Sequence, residues 1–443
     1  MSGKYFPLSP EELSRLAERY GTPFYLYDER GIRENIRRFQ AAFSGFPGFK
    51  EFFAVKACPN PFILKILADE GCGADCSSLP ELILAEKSGI TGENVMFSSN
   101  ETPEKEYIYA NLKGNILNLD DITHIPFVEK ALGALPEVIS FRYNPGPLKS
   151  SGVNAIIGKP EEAKYGLTRG QMFEAYRICR DKGVRRFGLH TMVASNELDT
   201  ACFAETASLV FALAADLRRQ LGVTVEWIDL GGGVGIPYKP GQQAVDYAEL
   251  AARVQAQVDA VLVPAGLDAV KICWECGRPV TGPYGWLVTR AIHEKHIYRE
   301  YIGVDASMAD LMRPGMYGAY HHVTVNGKPD PTDWDSGSVK AGLEAGRDYR
   351  VYDVVGSLCE NCDKFAVQRP LPPVETGDLL IIHDAGAHGR AMGFNYNGKL
   401  RCGELLLRTG GEVMEIRRQE TVDDYFSTLD FRALSLFNAK SSE

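Results

Sequence analysis

Eight strand-like runs alternate with helix-like segments across the first two thirds of the chain, and this rhythm restricts the fold more than any other feature. The runs cover residues 52–57, 73–78, 95–99, 116–120, 138–143, 186–191, 225–231 and 270–275, with helical stretches such as 80–88 and 200–220 between them. Eight such units in about 250 residues predict a (β/α)8 barrel, whose functional groups gather at the C-terminal ends of the strands. The chain has 443 residues, 45% of them hydrophobic. That exceeds what one core organises, so a second domain is expected.

Chemically suggestive residues fall at the predicted strand ends. Lys56 closes the first run in EFFAVKACPN, Asp75 and Ser77 the second, and Asn100 follows the third. Arg142 and Asn144 end the fifth, His190 the sixth, and Glu275-Cys276-Gly277-Arg278 the eighth. The apolar flanks of Lys56 predict a buried strand, where a lone ammonium is costly unless paired or chemically used. A strand-end lysine can also snorkel to solvent. The run Gly231-Gly232-Gly233-Val234-Gly235 follows the seventh strand, where barrel loops bind phosphate through backbone amides, although a tight turn is the plain alternative. It is not a dinucleotide fingerprint, because Ile236-Pro237 breaks the chain where a helix should open. A lysine for an aldehyde, a glycine loop for a phosphate and an acid for a ring nitrogen together suggest pyridoxal phosphate. Glu275 could also pair with Arg278, which is compatible with that role.

These segments resemble, in order and spacing, the alanine-racemase-fold pyridoxal phosphate decarboxylases, and most closely the diaminopimelate decarboxylases. FAVKACPN is similar to the segment with the cofactor lysine, which implies a Schiff base at Lys56. IDLGGGVGIPY resembles the phosphate loop, implying contacts from Gly231, Gly232 and Gly233. ECGRP stands for the family's E-P-G-R, which implies Glu275 at the pyridine nitrogen and Gly277 and Arg278 near phosphate and substrate. DASMADLMRPGMYGAYH implies substrate contacts from Arg313 and Tyr317, and GSLCENCD implies that Cys359 and Glu360 reach the neighbouring subunit's site in a homodimer. Three positions depart from the pattern. In GLHTMVASNE, His190 and Ser195 match the family's H-x-H-x-G-S, but Met192 replaces the histidine that stacks on the ring. Methionine can still pack on an aromatic face. His388 stands for a tyrosine in AGAHG, and Cys276 for the proline of E-P-G-R.

After about residue 290 the alternation gives way to short strand-like runs with Gly- and Pro-rich turns, which predict an all-β domain. The resemblance adds the early strand TPFYLYD to it, so the barrel, residues 31–293, would be inserted into a β-rich domain made of 1–30 and 294–443. The tail after Leu436 is expected to fray. A formal charge of −10 without a basic cluster argues against nucleic acid and anionic membranes. No apolar run approaching a membrane span and no signal-peptide core are evident, which predicts a cytoplasmic protein. Cys273 and Cys276 lie three apart in a predicted strand and would face opposite ways, so no metal is expected, and most of the ten cysteines should be reduced, buried thiols.

The implied reaction is loss of the carboxylate of an amino acid, with Glu275 keeping the ring protonated and Cys359 of the partner chain returning a proton. An amino-acid racemase would place arginine, not Glu275, at the ring nitrogen. Arg278, Arg313 and Tyr317 suit a distal carboxylate and Glu360 a distal ammonium, which favours meso-diaminopimelate, giving L-lysine. Arg278 could instead serve phosphate alone, and Arg313 could pair with Asp305 or Asp310. The alternative substrates are ornithine or lysine of either hand, arginine and carboxynorspermidine.

Overall fold

The structure, a computed structural model, describes residues 4–146, 162–330 and 349–440. The expected barrel is present. Strand β1 (Phe24–Asp28) precedes it, and β2 (Lys50–Ala54), β3 (Gly73–Cys76), β4 (Val95–Ser98), β5 (Ile116–Leu119), β6 (Val138–Tyr143), β7 (Arg186–Thr191), β8 (Val225–Asp229) and β9 (Lys271–Trp274) close it. Every neighbouring pair is parallel, and β2 pairs with β9 to complete the ring.

The period of two along each strand divides the barrel interior into two layers. Phe52, Met96, Ile116, Trp227 and Cys273 form an apolar plug toward the N-terminal end. Two residues further on, and so on the same face, stand Asn118 after Ile116, Asp229 after Trp227 and Glu275 after Cys273. The upper layer is therefore polar and buried, with Asp75, Asn118, Ser140, His190, Asp229 and Glu275 at most 7% exposed. Gly188 makes room for the plug, since a Cβ there would lie 2.2 Å from the Trp227 ring.

The second body is a mixed sheet. Strand β10 (Gly285–His296) pairs antiparallel with β1 and, past a register shift near Ala291, with β11 (Glu300–Val304). The remaining strands are β12 (Val323–Val325), β13 (Arg350–Val355), β14 (Lys364–Leu371), β15 (Leu379–Ile382), β16 (Gly403–Leu407) and β17 (Val413–Arg417). The order β14-β13-β11-β10-β1-β16-β17 includes two parallel pairs, β1 with β16 and β11 with β13. The helix Pro10–Tyr20, closed by a Ser9–Glu12 capping box, packs Leu13 and Ala17 against Phe24, Leu26, Trp286 and Val288 of this sheet.

Three expectations change. The first strand stops at Ala54, and Lys56 sits in a single 3-10 turn, Val55–Ala57, with its side chain half-exposed at the barrel mouth. The turn leads to Asn60, which caps the helix Pro61–Asp69. The helix Thr200–Leu221 is long and apolar enough to cross a membrane by composition, contrary to the sequence expectation, but Phe203, Val210, Phe211 and Leu217 bury it in the barrel's core cluster. The tail continues as the helix Phe431–Lys440, and residues 441–443 lie outside the described residues.

Candidate active site

The upper layer of the barrel and the loops above it gather most of the residues singled out in the sequence. Lys56 Nζ lies 2.7 Å from Asp75 Oδ2. Burial alone would depress this ammonium, but Asp75 and Glu275 outweigh it and hold Lys56 above its ordinary pKa. Asp75 is pushed up to about 7, by burial first and then by Glu275, with Lys56 opposing. Burial, reinforced by the neighbouring Glu275 carboxylate, thus explains the Asp75 shift, and the pair is best described as an ammonium held by acids.

Glu275 lies just past β9, its backbone N–H donating to Gly231 O at 2.8 Å. Its Oε2 is 3.0 Å from His190 Nε2, and His190 Nδ1 is 3.0 Å from the Asn118 amide nitrogen. An amide donor at Nδ1 leaves the proton on Nε2, so the imidazole donates to Glu275. Burial would raise the Glu275 carboxyl, yet His190, Lys56 and Arg142 together bring it below its usual value. Glu275 is therefore a carboxylate, and its Oε1 is buried without a hydrogen-bond partner.

The glycine loop closes over this acid. Gly231 and Gly233 adopt φ of +72° and +98°, in the left-handed region that favours glycine. A Cβ on Gly232 would lie 2.5 Å from the Glu275 carbonyl oxygen. Met192 lies against the loop, its Sδ accepting from Gly232 N–H at 3.1 Å. Ser195 lies in the segment beside this loop, where Glu197 bridges to Val234 and Gly233 O accepts from Glu197 N–H at 2.9 Å. Gly277 packs on the lysine turn, where a Cβ would meet that of Ala57 at 2.5 Å.

Two buried guanidinium groups share one phenol ring. Arg278 Nη1 donates to Tyr238 OH at 2.5 Å, and the Arg278 and Arg313 carbons lie 5.7 and 5.5 Å from the Tyr238 ring centroid. Neither arginine has an acidic partner among the described residues, and Arg313 Nε is buried without any acceptor. The alternative partners are engaged elsewhere: Asp305 accepts from Thr22, Thr289 and Arg290 N–H, and Asp310 from Ser307 and Cys402 N–H. Burial, and then the charge of Arg278, lower the Arg313 pKa. His388 completes this wall, its N–H donating to Ala57 O at 2.8 Å. Burial, followed by the charges of Arg278, Arg313 and Lys56, drives the His388 pKa well down, so the imidazole is neutral.

Cys359 and Glu360 lie on an exposed loop of the β domain, with Cys359 Sγ 3.3 Å from Tyr396 OH. The loop packs on the helix Arg313–Tyr317, since a Cβ on Gly315 would lie 2.4 Å from Cys362 O. Tyr317, which ends that helix, is 44% exposed. Cys273 and Cys276 are both buried, and the second lies beyond the end of β9 rather than within a strand. Sequence reasoning missed Asp229, Asn118 and Tyr238. Asp229 had a signal in its place two residues after Trp227 and two before the glycine run, whereas nothing marked Tyr238 except its nearness to that loop.

The donor set fits pyridoxal phosphate: an amine at the barrel mouth, a partnerless carboxylate oxygen for a ring nitrogen, and a glycine loop beside a buried arginine. The family described as pyridoxal-dependent decarboxylase, pyridoxal binding domain, matches residues 29–282. Protein TabA of Pseudomonas amygdali pv. tabaci is 41% identical over 439 residues, covering 98% of this chain and 96% of that protein. A diaminopimelate decarboxylase of Methanothermobacter thermautotrophicus is 34% identical, covering 92% of each. The crystal structure of diaminopimelate decarboxylase from M. jannaschii in complex with L-lysine superposes with a TM-score of 0.83 at 29% identity, covering 94% of each chain. The chain thus belongs to the pyridoxal-dependent decarboxylases and is a pyridoxal-phosphate-dependent carboxy-lyase of the diaminopimelate decarboxylase family.

Proposed function

We propose that the enzyme decarboxylates meso-diaminopimelate to L-lysine. The observation that carries this reading is the pair Arg278 and Arg313, buried around Tyr238 with no acid to balance them among the described residues. Buried unpaired charge is strongly disfavoured, so such a pocket calls for an anionic partner. Diaminopimelate supplies a distal carboxylate that lysine, ornithine and arginine lack, and the forked guanidinium of Arg313 matches it.

Pyridoxal phosphate, when bound, supplies an electron-poor ring that accepts the electrons of the breaking Cα–carboxylate bond. Lys56 presents its amine to the cofactor aldehyde, and Asp75 orients it. Glu275, steadied by His190, holds a proton at the ring nitrogen. Met192 would pack beside the ring, Gly231–Gly233 with Ser195 and Gly277 would hold the phosphate, and Arg278 and His388 would close the phosphate and substrate side. Tyr317 and the partner subunit's Glu360 complete the distal pocket, and the partner's Cys359 returns the proton to Cα. On this reading residues 31–293 form the cofactor unit, residues 1–30 and 294–443 form the dimerising unit, and the enzyme acts in cytoplasmic lysine biosynthesis.

A second reading keeps the chemistry and changes the substrate. The 41% identity to protein TabA exceeds the 34% to the Methanothermobacter enzyme, and Met192 and His388 alter the cofactor surroundings. A different amino acid with a distal anionic group would satisfy the same arginines. The test is kcat/KM, followed by carbon dioxide release, for meso-diaminopimelate against L- and D-lysine, L- and D-ornithine, arginine and an amino acid with a distal anion but no distal amine, such as 2-aminopimelate. The highest value is expected for meso-diaminopimelate, and a higher value for any of the others overturns the assignment.

A further inference from the structure

Asp229 is a fully buried acid beside Glu275 that neither the sequence pattern nor the reaction above uses. It ends β8, is 0% exposed, and its two oxygens have different surroundings. Oδ1 accepts from Gly231 N–H at 2.8 Å, the first amide of the glycine loop. Oδ2 is buried without a hydrogen-bond donor among the described residues, as is Glu275 Oε1. One carboxylate oxygen each of Asp229 and Glu275 and one ring nitrogen of His190 lie within 4.8 Å of one another. Two carboxylates this close in a water-poor interior cannot both be ionised at modest cost.

We propose that Asp229 is held as a neutral carboxylic acid that donates its proton in a hydrogen bond to Glu275. Asp229 is thereby a positioning residue: one oxygen fixes the start of the glycine loop, and the other fixes the carboxylate facing the ring nitrogen. The acidic groups around it all favour this state. Burial first, and then Glu275 and Asp75, push the Asp229 carboxyl well above its ordinary value, with only the Gly231 N–H opposing. Glu51, raised in the same way by burial, adds a further acid, and Cys273 and Cys276 are buried thiols with raised pKa values. The cations Lys56 and Arg142 and the His190 donor act instead on Glu275 and bring it down. Environments that push two neighbouring acids apart assign the proton to Asp229 and the charge to Glu275. The pair then carries one negative charge, which suits a singly charged ring nitrogen without a surplus.

Infrared difference spectra of wild type minus Asp229→Asn, recorded on the holoenzyme and on cofactor-free protein, test this directly. The expected result is a carboxylic-acid C=O stretch at neutral pH in wild type that Asp229→Asn lacks. Asparagine keeps both an acceptor for Gly231 and a donor for Glu275, so kcat stays within about twofold and the pH dependence of the cofactor's visible absorption is unchanged. Asp229→Leu removes both hydrogen bonds and lowers kcat by about tenfold or more. No lost carboxylic-acid band, a shifted absorption titration in Asp229→Asn, or equal damage in both variants overturns the proposal. Should Asp229→Leu not fold, the infrared band and absorption titration of Asp229→Asn decide by themselves.

Discussion

Lys56 Nζ and Asp75 Oδ2 stand 2.7 Å apart at the mouth of the barrel, so the amine proposed to receive the cofactor is held as an ammonium. An ammonium must lose its proton before it attacks an aldehyde, so Asp75 orients Lys56 while delaying its deprotonation.

Asp75→Asn removes the acid that, together with Glu275, raises Lys56 above its usual pKa. Lys56 then deprotonates at lower pH. Stopped-flow absorbance of cofactor uptake should show the alkaline rise in rate displaced by about one pH unit or more toward acid. An unmoved or alkaline-shifted profile would contradict the pairing.

Arg313→Leu separates binding from stability. Loss of a charged partner to a buried carboxylate costs a few kcal/mol, so kcat/KM for meso-diaminopimelate should fall about a hundredfold or more. Cofactor affinity should change far less. Because Arg313 is 5% exposed with no acidic partner among the described residues, its removal should leave the cofactor-free protein equally or more heat-stable. Calorimetry beside steady-state kinetics checks both parts, and a large loss of Tm would mean that Arg313 has a structural partner.

His321 lies behind the two arginines, its ring 5.1 Å from that of Tyr238 and its Nδ1 2.8 Å from His383 O. Burial, with the charge of Arg313, lowers its pKa to about 3. The unfolded chain takes up a proton near the ordinary histidine value of 6.5 that the folded state refuses until about pH 3. Stability from this residue is complete above pH 6.5 and is lost as pH falls toward 3, by about 1.4 kcal/mol per pH unit. Urea midpoints between pH 4 and 6 should show a shallower dependence in His321→Gln than in wild type.

The proposed sharing of the site between two chains is tested at Cys359, which is exposed on the loop that packs against the helix Arg313–Tyr317. Lys56→Ala and Cys359→Ala are each expected to be inactive. Mixing them with subunit exchange should restore activity, at most about a quarter of wild type, because half of the dimers are mixed and each holds one intact site. Verified exchange without recovery would exclude a shared site.

The barrel was legible because β-strand residues and amphipathic helices alternate eight times, and the site because polar groups recur at the strand ends. Lys56, Glu275, Arg278 and the glycine run are visible in sequence for that reason, and the structure gathers them in one cleft. The boundary at Lys56 was not legible, since VKA is as compatible with a strand as with the 3-10 turn that tertiary contacts impose. Tyr238 and Asn118 escaped notice because their roles arise from contacts across the barrel, with Arg278 and Arg313 in one case and with His190 in the other. Cys276 in place of proline is accommodated because its N–H is used, donating to Glu51 Oε1 at 2.7 Å.

The most direct measurement is borohydride reduction of the holoenzyme followed by proteolysis and mass mapping. Among the described residues Lys56 is the amine held by Asp75 and Glu275, so the added pyridoxyl mass is expected on the peptide bearing Lys56, with loss of the visible absorption band. Attachment to any other lysine, or no attachment after cofactor loading, would contradict the assignment of Lys56 as the cofactor anchor.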